Sequence, residues 1–201
     1  LERHGFDITY LNVDSDGKVR LDELKKSIRE DTILISVMTA NNEIGTIQPV
    51  AEIGKIAHEK GILFHTDAVQ AYGHIPINVD EMNIDLLSAS GHKFNGPKGV
   101  GIMYIRKGVK IRSFIHGGSQ ERGRRAGTYN VPGIAGLGKA AELIYENHEE
   151  KIAHIREIKE HFIKRVMEEI PDVKDNSGDA PHVASISFLG VRSEVLLHAL
   201  E

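Results

Sequence analysis

The chain contains no cysteine. That absence excludes a disulfide framework, a thiolate-ligated zinc site, an iron–sulfur cluster held by this polypeptide and a thiol nucleophile. It leaves the compartment open, because a cysteine-free chain folds in either redox environment. Tryptophan is also absent, prolines number only 6, and no segment is of low complexity. No apolar run approaches the roughly 20 residues needed to span a bilayer. The opening Leu1-Glu2-Arg3-His4-Gly5 lacks both an initiator methionine and the apolar stretch of a signal peptide. The chain therefore reads as cut from something longer, with a cytoplasmic location expected. Net charge is only −4 and the isoelectric point about 6.3, so there is no global pull toward nucleic acid or membrane. What is present suits a folded protein: 201 residues, 40% of them hydrophobic, enough for a buried core and for one domain or slightly more.

The first half alternates strand and helix signals. Asp7–Val13 is extended in character, and Asp14-Ser15-Asp16-Gly17 is a turn cluster. Leu21, Leu24 and Ile28 predict a short amphipathic helix over Leu21–Glu30. The β-branched run Thr32–Met38 fits a strand buried on both faces. A helix begins near Pro49, carries Val50, Ile53, Ile56 and Ala57 on one stripe, and ends at Gly61. Further strands are expected at Ile62–Thr66, Ile84–Ser88 and Val100–Arg106. Strands separated by helical stretches imply βαβ units, hence an α/β fold with a mostly parallel sheet flanked by helices. From Pro132 two long helical patterns follow, roughly Pro132–His148 and Glu149–Ile170. Pro171 to Pro181 reads as a loop, Val183–Leu189 as a strand, and Glu194–Leu200 as a helix capped by Ser193. The division expected is a large α/β part over residues 1–148 and the start of a smaller α+β part over 149–201.

In an open α/β sheet, ligands bind at the carboxyl ends of the strands. Three successive strand ends here carry polar residues: Thr39-Ala40-Asn41-Asn42-Glu43, then His65-Thr66-Asp67-Ala68-Val69-Gln70, then Ser90-Gly91-His92-Lys93 and the glycines after it. Any one alone reads as a chain turning in solvent; three together point to a site. Lys93 is placed by glycine-rich backbone rather than by a helix face. A solvated loop lysine is the ordinary alternative. The functional reading is an amine that forms a Schiff base with a carbonyl cofactor. Asp67, alone, would be read as a helix cap. Beside such a lysine it can protonate a pyridine nitrogen, which is what pyridoxal phosphate chemistry needs. Ser90, Gly91 and His92 can supply donors to a phosphate.

The runs Met38–Gly45, His65–Gln70, Ser88–Gly99, His116–Thr128 and Val183–Phe188, with Glu194–Leu197 after them, resemble those of the NifS/IscS-type cysteine desulfurases. These are pyridoxal-phosphate enzymes of the class V aminotransferase group, fold type I. The likeness spans the whole chain in order. It implies that Lys93 is the Schiff-base lysine and proton shuttle. It implies that Asp67 holds the pyridine nitrogen, that Gln70 and Asn42 bond the phenolic oxygen side, and that Ser90 and His92 contact the phosphate. Thr128 would reach the phosphate bound in the partner subunit of a homodimer. The implied reaction converts L-cysteine to L-alanine, with sulfur passing as a persulfide to an iron–sulfur scaffold or another sulfur acceptor. In that family the sulfur-accepting cysteine follows the segment matching Glu194–Glu201, and a phosphate loop and a ring-stacking histidine precede the segment matching Leu1. The expectation is that this chain alone does not turn over.

Three other readings stand beside this one. Selenocysteine lyases, kynureninase-like hydrolases and transaminases of class V share the lysine motif. His65 and Asp67, two apart on one strand face, with His92 or His116, allow a metal hydrolase, although that leaves Lys93 and its glycines unexplained. Arg106, Lys107, Lys110, Arg112, Arg122, Arg124 and Arg125 face only Glu121 in their segment and allow a non-catalytic module for an acidic partner or nucleic acid.

Overall fold

The computed structural model describes residues 1–200. Among the described residues six α-helices and six strands form: α1 (Leu21–Ser27), β1 (Leu34–Ser36), α2 (Val50–Glu59), β2 (Leu63–Asp67), β3 (Leu86–Ser90), β4 (Gly101–Ile105), α3 (Gln120–Gly123), α4 (Val131–Tyr145), α5 (His148–Glu169), β5 (Val173–Asp175), β6 (Ile186–Phe188) and α6 (Ser193–Leu200). The main sheet has the order β1-β2-β3-β4. β1, β2 and β3 run parallel, and β4 returns antiparallel to β3. The mostly parallel α/β sheet flanked by helices is as the sequence implied.

The parallel pairing of β1 with β2 requires a crossover, and α2 supplies it. α2 turns Val50, Ile53, Ile56 and Ala57 inward, against Ile35, Phe64, Ile84 and Leu87. Phe64, Ile53 and Ile84 have no exposed surface, so this side of the sheet is the core. Gly54 lets α2 approach closely, because a Cβ there would lie 1.9 Å from the Met82 carbonyl oxygen.

The other face begins apolar, with Leu34, Leu63 and Leu86, and turns polar toward the carboxyl ends of the strands. Side chains alternate along a strand, and the register aligns neighbours across the sheet. Ser36 pairs with His65, and Asp67 with Ser88, so Ser36, His65, Asp67, Ser88 and Ser90 share the face opposite α2.

Four expectations need correction. Thr32–Met38 shortens to a three-residue edge strand that is buried on one face only: Ile35 joins the core, while Leu34 and Ser36 are exposed on the opposite face. The helix expected to Glu30 ends at Ser27, where Ile28 turns to extended backbone. Asp7–Val13 joins no strand, and its only bridge links Val13 to Val19. Pro171–Pro181 contains β5, which pairs antiparallel with β6 to make a separate two-stranded sheet under α5. Among the described residues no helix is long and apolar enough to cross a membrane.

Candidate functional site

Backbone hydrogen bonds continue past the strands and tie the three polar ends together. Thr39 N–H donates to the Asp67 carbonyl (2.8 Å), Ala68 N–H to the Ser88 carbonyl (2.8 Å), and Gly91 N–H to the Val100 carbonyl (3.0 Å). Beneath them the buried hydroxyls of Thr39 and Thr66 bond at 2.8 Å. The loop after β1 folds back on itself, with Asn41 Oδ1 accepting from Glu43 N–H and Ile44 N–H at 2.8 and 3.0 Å. That closed turn leaves Asn42 exposed, its amide bonded to Glu43 at 2.7 Å.

Lys93 is displayed by the turn Gly91–Phe94, a single 3-10 turn that follows β3 directly. Phe94 anchors the turn, 1% exposed and 4.8 Å from the Tyr72 ring, while His92 and Lys93 remain outside. Asn95 closes it in the left-handed region, at φ 65°. Gly96 follows because a Cβ there would lie 2.9 Å from the Gly91 carbonyl oxygen. The glycines that flagged Lys93 in the sequence are thus those that let the chain fold under it.

Asp67 ends β2, with Oδ1 accepting from Val69 N–H at 2.9 Å. Its other carboxylate oxygen has no protein partner among the described residues. Ser90 Oγ lies 2.8 Å from His92 Nδ1, a hydroxyl–imidazole pair beside Lys93. Gln70 Oε1 lies 3.4 Å from His182 Nε2, which comes from the far end of the chain. Thr128 is exposed, after Gly127 and before α4, and has no hydrogen bond to the other candidates. Asn42, Asp67, Gln70, Ser90, His92 and Lys93 therefore lie at or just after three strand ends joined at one edge; Thr128 lies on a separate segment.

These groups fit pyridoxal 5'-phosphate: an exposed amine, a carboxylate with one oxygen unengaged, and a hydroxyl–imidazole pair at a strand end. They fit a metal hydrolase poorly. His65 and Asp67 do share a face, but Ser36 Oγ lies 2.8 Å from His65 Nδ1 and Ser88 Oγ 3.3 Å from Nε2. Burial lowers the pKa of His65, and Asp67 opposes that only in part. Among the described residues no three His, Cys, Asp or Glu side chains converge as a metal site. The basic segment is partly structural as well. The Arg106 guanidinium bonds the Val79 and Ile84 carbonyls at 2.5 and 3.0 Å and Asp80 at 2.7 Å, clamping the loop before β3 to the end of β4.

Two histidines escape a reading of local motifs. His74 and His182 stack with ring centroids 4.0 Å apart and planes 26° from parallel. His182 is pushed down to about 4 by burial, then by the positive fields of His74, Lys159 and Lys93. Lys159, on α5, donates to the Gly178 and Ala180 carbonyls at 2.5 and 2.8 Å, and burial lowers its pKa. The only signal for His182 in the sequence is a Pro-His step ahead of a strand.

The Aminotransferase class-V family model matches residues 1–201. The cysteine desulfurase IscS of Dictyoglomus turgidum is 56% identical over 202 residues, covering 98% of this chain and 51% of that protein. The IscS of Clostridium botulinum (strain Hall) is 52% identical over 206 residues, covering 100% of this chain and 52% of that protein. Among solved structures, a NifS-like protein superposes with TM-score 0.94 at 44% identity, over 99% of this chain and 55% of that one. The chain spans about half the length of the curated relatives it matches. With a family match over its full length and strand ends that meet around Lys93, the chain belongs to the class-V aminotransferase family.

Proposed function

We propose that this chain carries the cofactor-binding centre of a pyridoxal 5'-phosphate-dependent cysteine desulfurase, acting on L-cysteine to give L-alanine and enzyme-bound sulfur. The observation that carries the reading is the junction of three strand ends that sets Lys93, Asp67 and the Ser90–His92 pair at one edge of the sheet. The names of its relatives support the choice of substrate.

Bound there, pyridoxal phosphate supplies an electron sink for charge developing on the substrate's α-carbon. The protein does the rest. Lys93 offers the amine that links to the cofactor and afterwards carries protons. Asp67, through its unengaged oxygen, holds the ring-nitrogen proton. Gln70 and Asn42 bond the oxygen side of the ring. Ser90 and His92 bind phosphate, and Thr128 reaches the phosphate of a second subunit in a homodimer. Residues 1–148 form the large domain in this reading, and 149–201 begin the smaller one. The sulfur goes to an iron–sulfur scaffold or another acceptor protein in the cytoplasm, with no direct part for nucleic acid.

The sulfur step needs a thiol, and this chain has no cysteine. The 201 residues alone, supplied with cofactor and L-cysteine, are expected to release no alanine. A polypeptide extending this segment to the length of its relatives is expected to form alanine from L-cysteine and to lose that activity by orders of magnitude in Lys93→Ala. Turnover surviving Lys93→Ala overturns the reading; preference for another amino acid moves it to a different class-V reaction.

A further inference from the structure

Gln70 meets His182 across 112 residues of sequence. The contact joins the loop after β2 to the segment ahead of β6. His182 is itself held by its stack on His74. Among the described residues the Nδ1 atoms of both rings are buried without a hydrogen-bond partner.

That pattern selects a tautomer. A neutral imidazole has one N–H and one bare nitrogen. With the proton on Nδ1, His182 would bury an N–H with no acceptor, and orphaned buried donors are rarer than under-satisfied acceptors. With the proton on Nε2, it donates to Gln70 Oε1 at 3.4 Å. The charged groups that face His182 are Lys159 from α5, Lys93 from the turn after β3, and His74 from the loop after β2, and each disfavours an imidazolium. The ring is therefore a neutral donor throughout the working pH range. The tautomer also settles the amide. A carboxamide whose oxygen is taken presents its NH2 elsewhere, and that NH2 has no protein partner among the described residues.

We propose that His182, braced by His74, is a positioning residue that fixes the Gln70 carboxamide with its oxygen turned inward and its NH2 offered to an anionic ligand oxygen. The class of ligand oxygen, a phenolate on the cofactor ring, rests on the function proposed above; the tautomer and the amide orientation do not. The arrangement makes Gln70 an obligate donor. It also couples the cofactor edge to the loop that joins the two strands of the second sheet, so that a displacement of residues 180–182 would be felt at Gln70.

The test uses the 201-residue chain labelled with 15N at histidine and at the glutamine side chains. Two-bond nitrogen–proton couplings are expected to show His182 as the neutral Nε2–H form across pH 5 to 8, roughly the range in which an ordinary histidine changes charge. His182→Phe keeps a ring to stack on His74 but cannot donate, so the Gln70 NH2 resonances should move. His182→Asn, which retains a donor, should move them less. With pyridoxal phosphate added, His182→Phe should weaken binding about threefold to tenfold and shift the bound-cofactor absorbance, as loss of one hydrogen bond implies. A charged His182 at neutral pH, an Nδ1–H tautomer, or unchanged Gln70 NH2 resonances in His182→Phe overturns the proposal. A wild-type chain that takes up no cofactor defeats the proposed function instead, while the couplings and the Gln70 resonances still decide the positioning role.

Discussion

At the scale of single residues, histidine sets the acid behaviour. His182 titrates at about 4 in the folded chain against the ordinary value of 6.5, and burial lowers His65 and His74 as well. In the unfolded chain His182 takes up a proton as pH falls through about 6.5, while in the folded chain it resists until near 4. The stabilisation from neutral His182 is therefore complete above pH 6.5 and lost progressively toward pH 4. A shift of one unit corresponds to about 1.4 kcal/mol, and for a half-buried, solvent-screened ring the total loss is on the order of 1–2 kcal/mol. Urea midpoints measured across this range should fall with acid in the wild type and fall less in His182→Phe; parallel slopes for the two would contradict the assignment. The positions of Lys93 and Asp67 at strand ends were legible from sequence because each signal is local: an apolar run that stops at polar residues. His182 was not legible, because its partner lies 112 residues away and only the closed fold brings the two together.

At the scale of elements, the stripe of apolar residues predicted α2 well, since one face of that helix is fully buried. Short elements escaped. β5 holds three residues and shows no alternation long enough to read, and it exists because β6 pairs with it. β1 was misread as buried on both sides because an apolar run does not reveal whether one face of its strand or both are covered. The contact of α2 with the loop before β3 is the tightest that any glycine makes, with the prospective Cβ of Gly54 1.9 Å from the Met82 carbonyl oxygen. Gly54→Ala must push the helix away from that loop and should cost about 3 kcal/mol despite alanine's better helix propensity. Thermal unfolding checks this: a neutral or stabilising effect would mean that α2 does not sit against Met82 as described. Gly61→Ala gives a contrast, because a Cβ there meets no atom within 4 Å and only its φ of +67° is unfavourable.

At the scale of the whole molecule, two sheets of unequal size are sewn together by few but specific contacts. Gly178 N–H donates to the Ile44 carbonyl at 2.6 Å, and Ala180 N–H to the Gly45 carbonyl at 2.9 Å. Gly178 leaves no room for a side chain, its Cβ position lying 2.5 Å from Thr46 backbone atoms. These contacts bring His182 to Gln70 and place the loop between β5 and β6 beside the polar strand ends. Large apolar side chains stay exposed, among them Phe114 at 94% and Ile158 at 56%. The fold class and the meeting of polar strand ends at one edge of the sheet were legible from alternating strand and helix signals. The joint between the sheets was not, because its hydrogen bonds are made by main-chain groups of Ile44, Gly45, Gly178 and Ala180 that no pattern marks. The central claim is that this joined edge holds pyridoxal phosphate covalently on Lys93. Borohydride reduction of the chain mixed with the cofactor, followed by peptide mass mapping, tests it directly. The account predicts one pyridoxyl group, found on the peptide that contains Lys93 and absent in Lys93→Ala; a label spread over surface lysines, unchanged by that substitution, would contradict it.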